Sequence, residues 1–206
     1  AYKIGQYLGH LYEGKNILIG SDTRVSKDML EAALCAGITS YKANAHLLKV
    51  CTTPSVSFLT NKYDYEIGIM ISASHNPYYD NGIKLFNNMG EKISNEIEVE
   101  IEKYIDGLVT LEKTSQDNIG IIVDVSHLLD DYLMNLKGIV TQDLIDFNIV
   151  VDSANGSASF LGKKLFDMFN IKATYLNNTP DGYNINEKCG STHPESLIEK
   201  VKELNA

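Results

Sequence analysis

Cysteine is scarce in this chain, and the shortage is informative. Cys35, Cys51 and Cys189 are odd in number and widely spaced. No Cys-x-x-Cys pair occurs, so neither a disulfide framework nor a zinc site is suggested, and a reducing compartment fits best. Positive charge is also in deficit: 18 Lys and Arg stand against 27 Asp and Glu, a formal net charge of −9. Phosphate backbones and anionic membranes attract basic surfaces. A general binder of nucleic acid or of acidic membranes is therefore not expected, whereas a local pocket for a small phosphorylated ligand remains open. No apolar run approaches the roughly 18 to 20 residues that span a bilayer. No signal-peptide pattern opens the sequence, and a cytoplasmic protein is expected. Low-complexity tracts and convincing internal repeats are missing too.

What is there is ordinary in bulk. The 206 residues are 44% hydrophobic and 22% charged, a globular composition with room for one large core or two small ones. Helical and extended patterns alternate as α-β-α-β-α-β, which predicts an α/β fold of three layers, α/β/α, around a mainly parallel sheet. Ile4, Tyr7, Leu8 and Leu11 recur at helical spacing before Gly14. Ile17-Leu18-Ile19 reads as a short buried strand, and Leu47-Leu48-Lys49-Val50 as the next. Between them Ser26 is placed to cap a helix with Met29, Leu30, Ala33, Leu34, Ile38 and Tyr41 on its apolar face. Thr53-Pro54 predicts another helix start. Ile97, Ile101, Tyr104 and Ile105 define a helix that Gly107 can end. The stretch from 111 to 120 is polar and weakly patterned, and residues 128–136 form a connecting helix.

A second unit starts near Asp143. Ile149-Val150-Val151 predicts a strand, residues 160–169 a helix and residues 171–176 a further strand. Thr192-His193-Pro194-Glu195 has capping-box spacing, opening a last helix with Leu197, Ile198, Val201 and Leu204 inward. The expected boundaries are 1–141 for the first domain and 142–206 for the beginning of a second, similar α/β domain.

The densest chemistry follows the apolar run Ile67-Gly68-Ile69-Met70. Within fourteen positions, Ile71-Ser72-Ala73-Ser74-His75-Asn76-Pro77-Tyr78-Tyr79-Asp80-Asn81-Gly82-Ile83-Lys84, the chain places two serines, a histidine, two asparagines and a lysine. A polar loop at a strand end is where an open α/β sheet usually places its active site. Serine can hold a group in transit as a covalent ester, and a phosphoserine carries roughly −1.5 to −2 charge with three acceptor oxygens. The commonest fate of a loop serine is a turn hydroxyl. A Ser-His hydrolase is disfavoured because Gly-x-Ser-x-Gly is absent and adjacent side chains seldom face each other.

Ser-Ala-Ser-His-Asn-Pro followed by Tyr-Asp-Asn-Gly-Ile-Lys resembles the phosphoserine loop of the α-D-phosphohexomutases. It is most similar to the branch of bacterial phosphoglucosamine mutases. Relatives acting on glucose or mannose phosphates more often read Thr-Gly-Ser-His-Asn-Pro and Asn-Gly-Phe-Lys. Val-Asp-x-Ala-Asn-Gly and the segment Asn184-Ile185-Asn186-Glu187-Lys188-Cys189-Gly190-Ser191-Thr192-His193-Pro194-Glu195 resemble the same branch.

The resemblance implies that Ser74 carries the phosphoryl group, that Lys84 handles the proton of the attacking sugar hydroxyl, and that His75 assists. Other readings stay open: a solvated strand-end lysine for Lys84 and a loop-bonding histidine for His75. Arg24, on the loop Asp22-Thr23-Arg24, and Asn76 are candidate phosphate contacts, although an ion pair with Asp22 competes for Arg24 and turn-shaping for Asn76. Asn155, Gly156 and His193 read as loop-shaping, and Cys189 as a small buried residue.

The implied reaction interconverts glucosamine 6-phosphate and glucosamine 1-phosphate through glucosamine 1,6-bisphosphate, with glucosamine or glucose 1,6-bisphosphate as activator. It feeds UDP-N-acetylglucosamine and cell-wall synthesis. The implied cofactor is Mg2+, held by one oxygen of phosphorylated Ser74 and by aspartates of an Asp-x-Asp-x-Asp-Arg loop. No Asp-x-Asp-x-Asp occurs in this sequence. Nor does the Gly-Thr-x-Gly-x-Arg-Gly segment with which the family begins, and the third-domain sugar loop and fourth-domain phosphate loop are absent as well. A fragment of a longer enzyme, inactive by itself, is the expectation. The rivals are a phosphoglucomutase or phosphomannomutase, and a non-catalytic phosphosugar-binding module.

Overall fold

Ile17, Leu18 and Ile19 are consecutive and all fully buried, and that run dictates the layering. Successive strand side chains point to opposite faces, so a strand buried throughout must be covered on both sides. In the structure, a computed structural model that describes residues 1–112, 119–140 and 147–206, Ile17 and Ile19 join one apolar cluster and Leu18 the other.

The chain runs α1 (Tyr2–Leu11), β1 (Asn16–Ser21), α2 (Lys27–Thr39), β2 (Asn44–Val50), α3 (Thr53–Lys62), β3 (Ile67–Ile71), β4 (Ile83–Asn87), α4 (Asn95–Ile105), β5 (Ile122–Asp124) and α5 (Leu129–Ile139). Five strands form one sheet in the order β4-β3-β1-β2-β5. All neighbours are parallel except β3 and β4, where the chain returns antiparallel through the serine loop. Leu8 of α1, Leu34 and Ile38 of α2, and Ile101 of α4 fill one face. Val56 and Leu59 of α3, with Leu129 and Leu133 of α5, fill the other. The α/β/α sandwich expected from the pattern is the fold observed.

Helices α1 and α2 meet almost backbone to backbone. A β-carbon on Gly5 would lie 2.4 Å from the Leu34 carbonyl oxygen, and one on Gly37 would lie 2.3 Å from that of Tyr2. Side chains at either position would push the layer off the sheet.

A second, smaller unit follows: β6 (Ile149–Asp152), α6 (Ala158–Met168), β7 (Ala173–Leu176) and α7 (Glu195–Leu204), with β6 and β7 parallel. Leu161 of α6 reaches into the α3–α5 cluster, and Leu165 and Met168 pack against it. The expected boundary at 141/142 and the start near Asp143 lie outside the described residues, as does most of the polar stretch from 111 to 120.

Several local expectations are corrected. Ser26 occupies the position before α2, but its backbone is already helical (φ −78°, ψ −7°). A capping hydroxyl needs an extended residue, and Ser26 Oγ instead donates to Asn81 Oδ1 at 2.6 Å. Met29 is 65% exposed rather than inward. Helix α3 is preceded by extended Thr52, so Thr53 falls in its first turn beside Pro54. The spacing at Thr192–Glu195 makes no capping box: the residue before a proline is driven out of the helical region. His193 accordingly lies at φ −140°, ψ 72°, and α7 begins only after Pro194. No residue of α7 is buried. β5 was not expected, because three residues are too few to display a period; it is identified by its pairing with Ala45, His46 and Leu47.

Candidate active site

From β1 the chain moves to β2 on one side, then crosses back to β3 on the other. The carboxyl ends of β1 and β3 thus form the switch point at which open α/β sheets bind ligands. The two loops leaving there are tied at their roots: Asp22 N donates to the Ile71 carbonyl at 3.0 Å. Across the loop's neck, Ser72 N donates to the Gly82 carbonyl at 2.9 Å. A β-carbon on Gly82 would sit 2.7 Å from the Ser72 carbonyl oxygen, so the loop closes only over glycine.

Ser74 stands at the crown of the loop with φ +57°, in the left-handed region that side chains disfavour. Its N–H is received by Ser72 Oγ at 3.1 Å, which gives Ser72 a loop-building task. Its own Oγ has no hydrogen-bond partner among the described residues, and the residue is exposed.

Arg24 is 1% exposed, and the structure brings it to the serine loop from underneath. Its Nε pairs with Asp22 Oδ2 at 3.0 Å and its own N–H donates to Asp22 Oδ1 at 3.0 Å. Its Nη1 donates to the Pro77 carbonyl, and its Nη2 to the carbonyls of Ser74 (3.2 Å) and Asn76 (2.9 Å). This geometry realises the ion pair weighed from sequence. The guanidinium fork is spent on a carboxylate and three backbone oxygens, and little of it remains for a phosphate. The Asn76 side chain is likewise turned aside, donating from Nδ2 to Asp80 Oδ2 at 3.1 Å.

Sequence reasoning missed Asn186. Its Nδ2 donates to the carbonyls of Ser74 and Asn76, each at 2.9 Å. The segment carrying it was recognised as a motif, but nothing in its pattern assigned that side chain a task. Asp152, also unassigned, holds the second unit's loops through Ala154 N (2.8 Å), Asn177 Nδ2 (3.0 Å) and Gly190 N (2.9 Å). Asn155 is loop-shaping as expected: buried, with φ +49°, it accepts from Thr179 N at 3.0 Å and donates to the Asn184 carbonyl at 3.3 Å.

These elements enclose a polar cavity of about 290 Å³ whose walls include Ser74, His75, Lys84, Asp22, Thr53 and Asn186. Lys84 comes from β4, opposite Met70 in the ladder. It is exposed, with no ion-pair partner among the described residues. A second cavity of about 450 Å³ shares His75, Ile185 and Asn186 and is walled by Tyr78, Tyr79 and Tyr183. Tyr78 packs edge-on against the other two rings, centroids 5.4 Å apart in each case. Among the described residues no group of three or more His, Cys, Asp or Glu could hold a metal ion. The two carboxylates that line the cavity with Ser74 are committed, Asp22 to Arg24 and Asp152 to its three donors. The described residues alone therefore do not make a magnesium site.

Residues 1–111 match the family model described as phosphoglucomutase/phosphomannomutase, alpha/beta/alpha domain I. That is more than half of the chain, and the chain belongs to this family. It is 46% identical over 210 residues to a phosphoglucosamine mutase of Lachnospira eligens, covering 98% of this chain and 46% of that protein. It is 41% identical over 211 residues to one from Clostridioides difficile and 44% identical over 213 residues to one from Staphylococcus aureus, covering 100% of this chain and 47% of each of those proteins. The chain spans about half the length of the curated relatives it matches. Among solved structures, a phosphoglucomutase/phosphomannomutase family protein from Burkholderia thailandensis superposes with a TM-score of 0.80 at 24% identity, over 100% of this chain and 46% of that one. Parafusin, a phosphoglucomutase from Paramecium, gives 0.64 at 16% identity, over 88% and 40%. At such identities these two likenesses speak for the fold alone. No helix of the described residues is long and apolar enough to cross a membrane.

Proposed function

We propose that the complete protein is a phosphoglucosamine mutase, an intramolecular phosphotransferase, and that Ser74 is its phosphoryl carrier. The observation that carries this reading is the unpartnered Ser74 Oγ. It is raised on a left-handed residue at the sheet's switch point and opens into a cavity that Lys84 and His75 also line. Relatives 41–46% identical that are named phosphoglucosamine mutases support the choice of sugar.

In the reaction, phosphorylated Ser74 would lose its phosphoryl group to the C1 hydroxyl of glucosamine 6-phosphate, giving the 1,6-bisphosphate and a free serine. The phosphoryl group at C6 would then return to Ser74 Oγ, leaving glucosamine 1-phosphate. Each transfer forms one P–O bond, breaks another, and moves one proton from the incoming hydroxyl to the departing oxygen. Lys84 is the group we assign to that proton, with His75 beside it. Arg24 and Asn76 shape the loop, on our reading, rather than grip phosphate. Magnesium would neutralise charge on the phosphoserine in the complete enzyme. We read residues 1–141 as the first domain and 142–206 as part of a second.

The family model favours one further reading, a phosphoglucomutase or phosphomannomutase. Both are tested on the full-length enzyme by comparing kcat/KM for glucosamine, glucose and mannose 6-phosphates. Ser74→Ala should abolish turnover and remove the phosphate found by peptide mapping, whereas Ser72→Ala, which removes one loop hydrogen bond, should be far milder. Phosphate on Ser72, or an active Ser74→Ala enzyme, would sink the assignment. No turnover of any phosphosugar by the wild type would leave the non-catalytic module.

A further inference from the structure

The left-handed backbone of Ser74 (φ +57°) costs a residue with a β-carbon about 1–2 kcal/mol. Groups outside the residue must therefore hold it there. Ser72 Oγ holds its N–H within the loop, and two side chains from outside the loop reach the same pair of carbonyls, those of Ser74 and Asn76: Arg24 at 3.2 and 2.9 Å, Asn186 at 2.9 Å to each. A carbonyl oxygen has two lone pairs and can accept from both donors at once.

The two clamps differ in origin. Arg24 is locked by Asp22 on the neighbouring loop of the same sheet. Asn186 arrives from the second unit, 112 residues from Ser74 in sequence. Its own backbone is left-handed (φ +60°), a conformation asparagine tolerates better than most residues. Its N–H is anchored on the Ala154 carbonyl at 2.9 Å, on the loop that leaves β6. The carboxamide is thus presented by a chain of contacts that belongs wholly to the second unit.

We propose that Asn186 is a positioning residue: by fixing the peptide of Ser74 it aims Oγ, and it makes that aim depend on how the second unit is seated. The inference rests on Ser74 as phosphoryl carrier. The bonds fall on the carbonyl and leave Oγ free, so losing them should misdirect the nucleophile without emptying the cavity. An error of about 1 Å in placing a reacting atom can cost on the order of a hundredfold in rate. The expected loss therefore lies in kcat and not in KM.

The test uses the full-length protein. Asn186→Asp keeps the shape and the tolerance for positive φ but, when ionised, has no N–H to donate. Asn186→Gly keeps the backbone conformation and removes the side chain. Lys188→Asn, in the same loop at φ +50° and not bonded to the serine loop, is the control. Hydrogen exchange in peptides covering residues 72–80 should quicken at least about tenfold in both Asn186 variants and stay unchanged in the control. For glucosamine 6-phosphate, kcat should fall about 10- to 100-fold with KM within about threefold. The Asp deficit should be at least as large as the Gly deficit, because an ionised carboxylate has no proton to donate and faces two carbonyl oxygens. Unchanged exchange in both variants, or a loss confined to KM, would overturn the proposal. A wild type that turns over no phosphosugar would defeat the mutase reading alone, and the exchange readout would still decide whether Asn186 holds the loop.

Discussion

In the five-stranded sheet the central strands β1 and β3 bury every residue except Asn16, whereas every residue of β6 and β7 stays half-exposed. The first unit is dry inside: burial pushes the Cys51 thiol up to about 12 and that of Cys35 to about 11. Such thiols are inert structural groups. The second unit adds little core of its own beyond Leu161, Ile171, Ile185 and Cys189. It is seated on the first by Leu161, Leu165 and Met168 of α6, which pack into the α3–α5 cluster, and at the loops by polar contacts. Thr23 Oγ1 donates to the Asn155 carbonyl at 2.6 Å, Val25 N to the Gly182 carbonyl at 2.9 Å, and Asn186 grips the serine loop. The difference teaches where the chemistry belongs. Apolar burial fixes the sheet, directional bonds fix the loops at its edge, and the candidate nucleophile lies on the seam between the two.

The hardest blow to this division is struck where a directional network runs inside the dry unit. Arg24 and Asp22 are 1% and 3% exposed in their side chains and 3.0 Å apart. Removing one member of a buried pair leaves the other charge uncompensated, typically at about 3–5 kcal/mol. Arg24→Met should therefore lower the free energy of unfolding in urea by that much, and should strip one donor from each of three loop carbonyls as well. A loss below about 1 kcal/mol would mean that the network is decorative and that apolar packing alone holds the site's foundation.

Lys84 sharpens the contrast from the other side, since it should matter to chemistry and barely to stability. It is exposed on β4 and lines the Ser74 cavity. Lys84→Met keeps the stem and removes the charge and the titratable proton. Stability should shift by less than about 0.5 kcal/mol, as at ordinary surface sites. General acid–base help is worth roughly a hundred- to ten-thousand-fold. The full-length enzyme should therefore lose at least the lower figure in kcat, together with one limb of its pH–rate profile. A near-normal kcat would return Lys84 to the status of a solvated charge.

Legibility from sequence followed the same division. The sheet was readable because runs such as Ile67-Gly68-Ile69-Met70 carry their burial in their composition. The serine loop was readable because fourteen consecutive residues carry one chemistry. Arg24 and its ion pair with Asp22 were legible but its carbonyl partners were not, since a loop arginine beside an aspartate reads the same whether it faces a phosphate or a carbonyl cage. Asn186 escaped because hydrogen bonds to backbone oxygens 110 and 112 residues away leave no periodic trace. At Thr192 a local signal was overridden: the proline after His193 outweighed a capping pattern that spacing alone supports.

The smallest effect is expected in α7, and it probes whether the second unit has a core at all. Its sequence has the amphipathic spacing of a packed helix, and Leu197, Ile198, Val201 and Leu204 read as an inward face. In the structure Ile198 is 48% exposed and the other three are only partly covered. A fully buried isoleucine truncated to alanine loses about 2–5 kcal/mol through transfer and cavity terms together. Half-exposed Ile198 leaves no closed cavity when it is shortened, and part of its surface is already in water. Ile198→Ala should therefore cost less than about 0.5 kcal/mol in urea unfolding of this chain, against the range for a buried residue at Leu18 of β1, which is fully covered. If Ile198→Ala costs as much as Leu18→Ala, α7 is covered in solution by a surface that the described residues do not supply, and the distinction between a dry unit and a half-exposed one fails at its last helix.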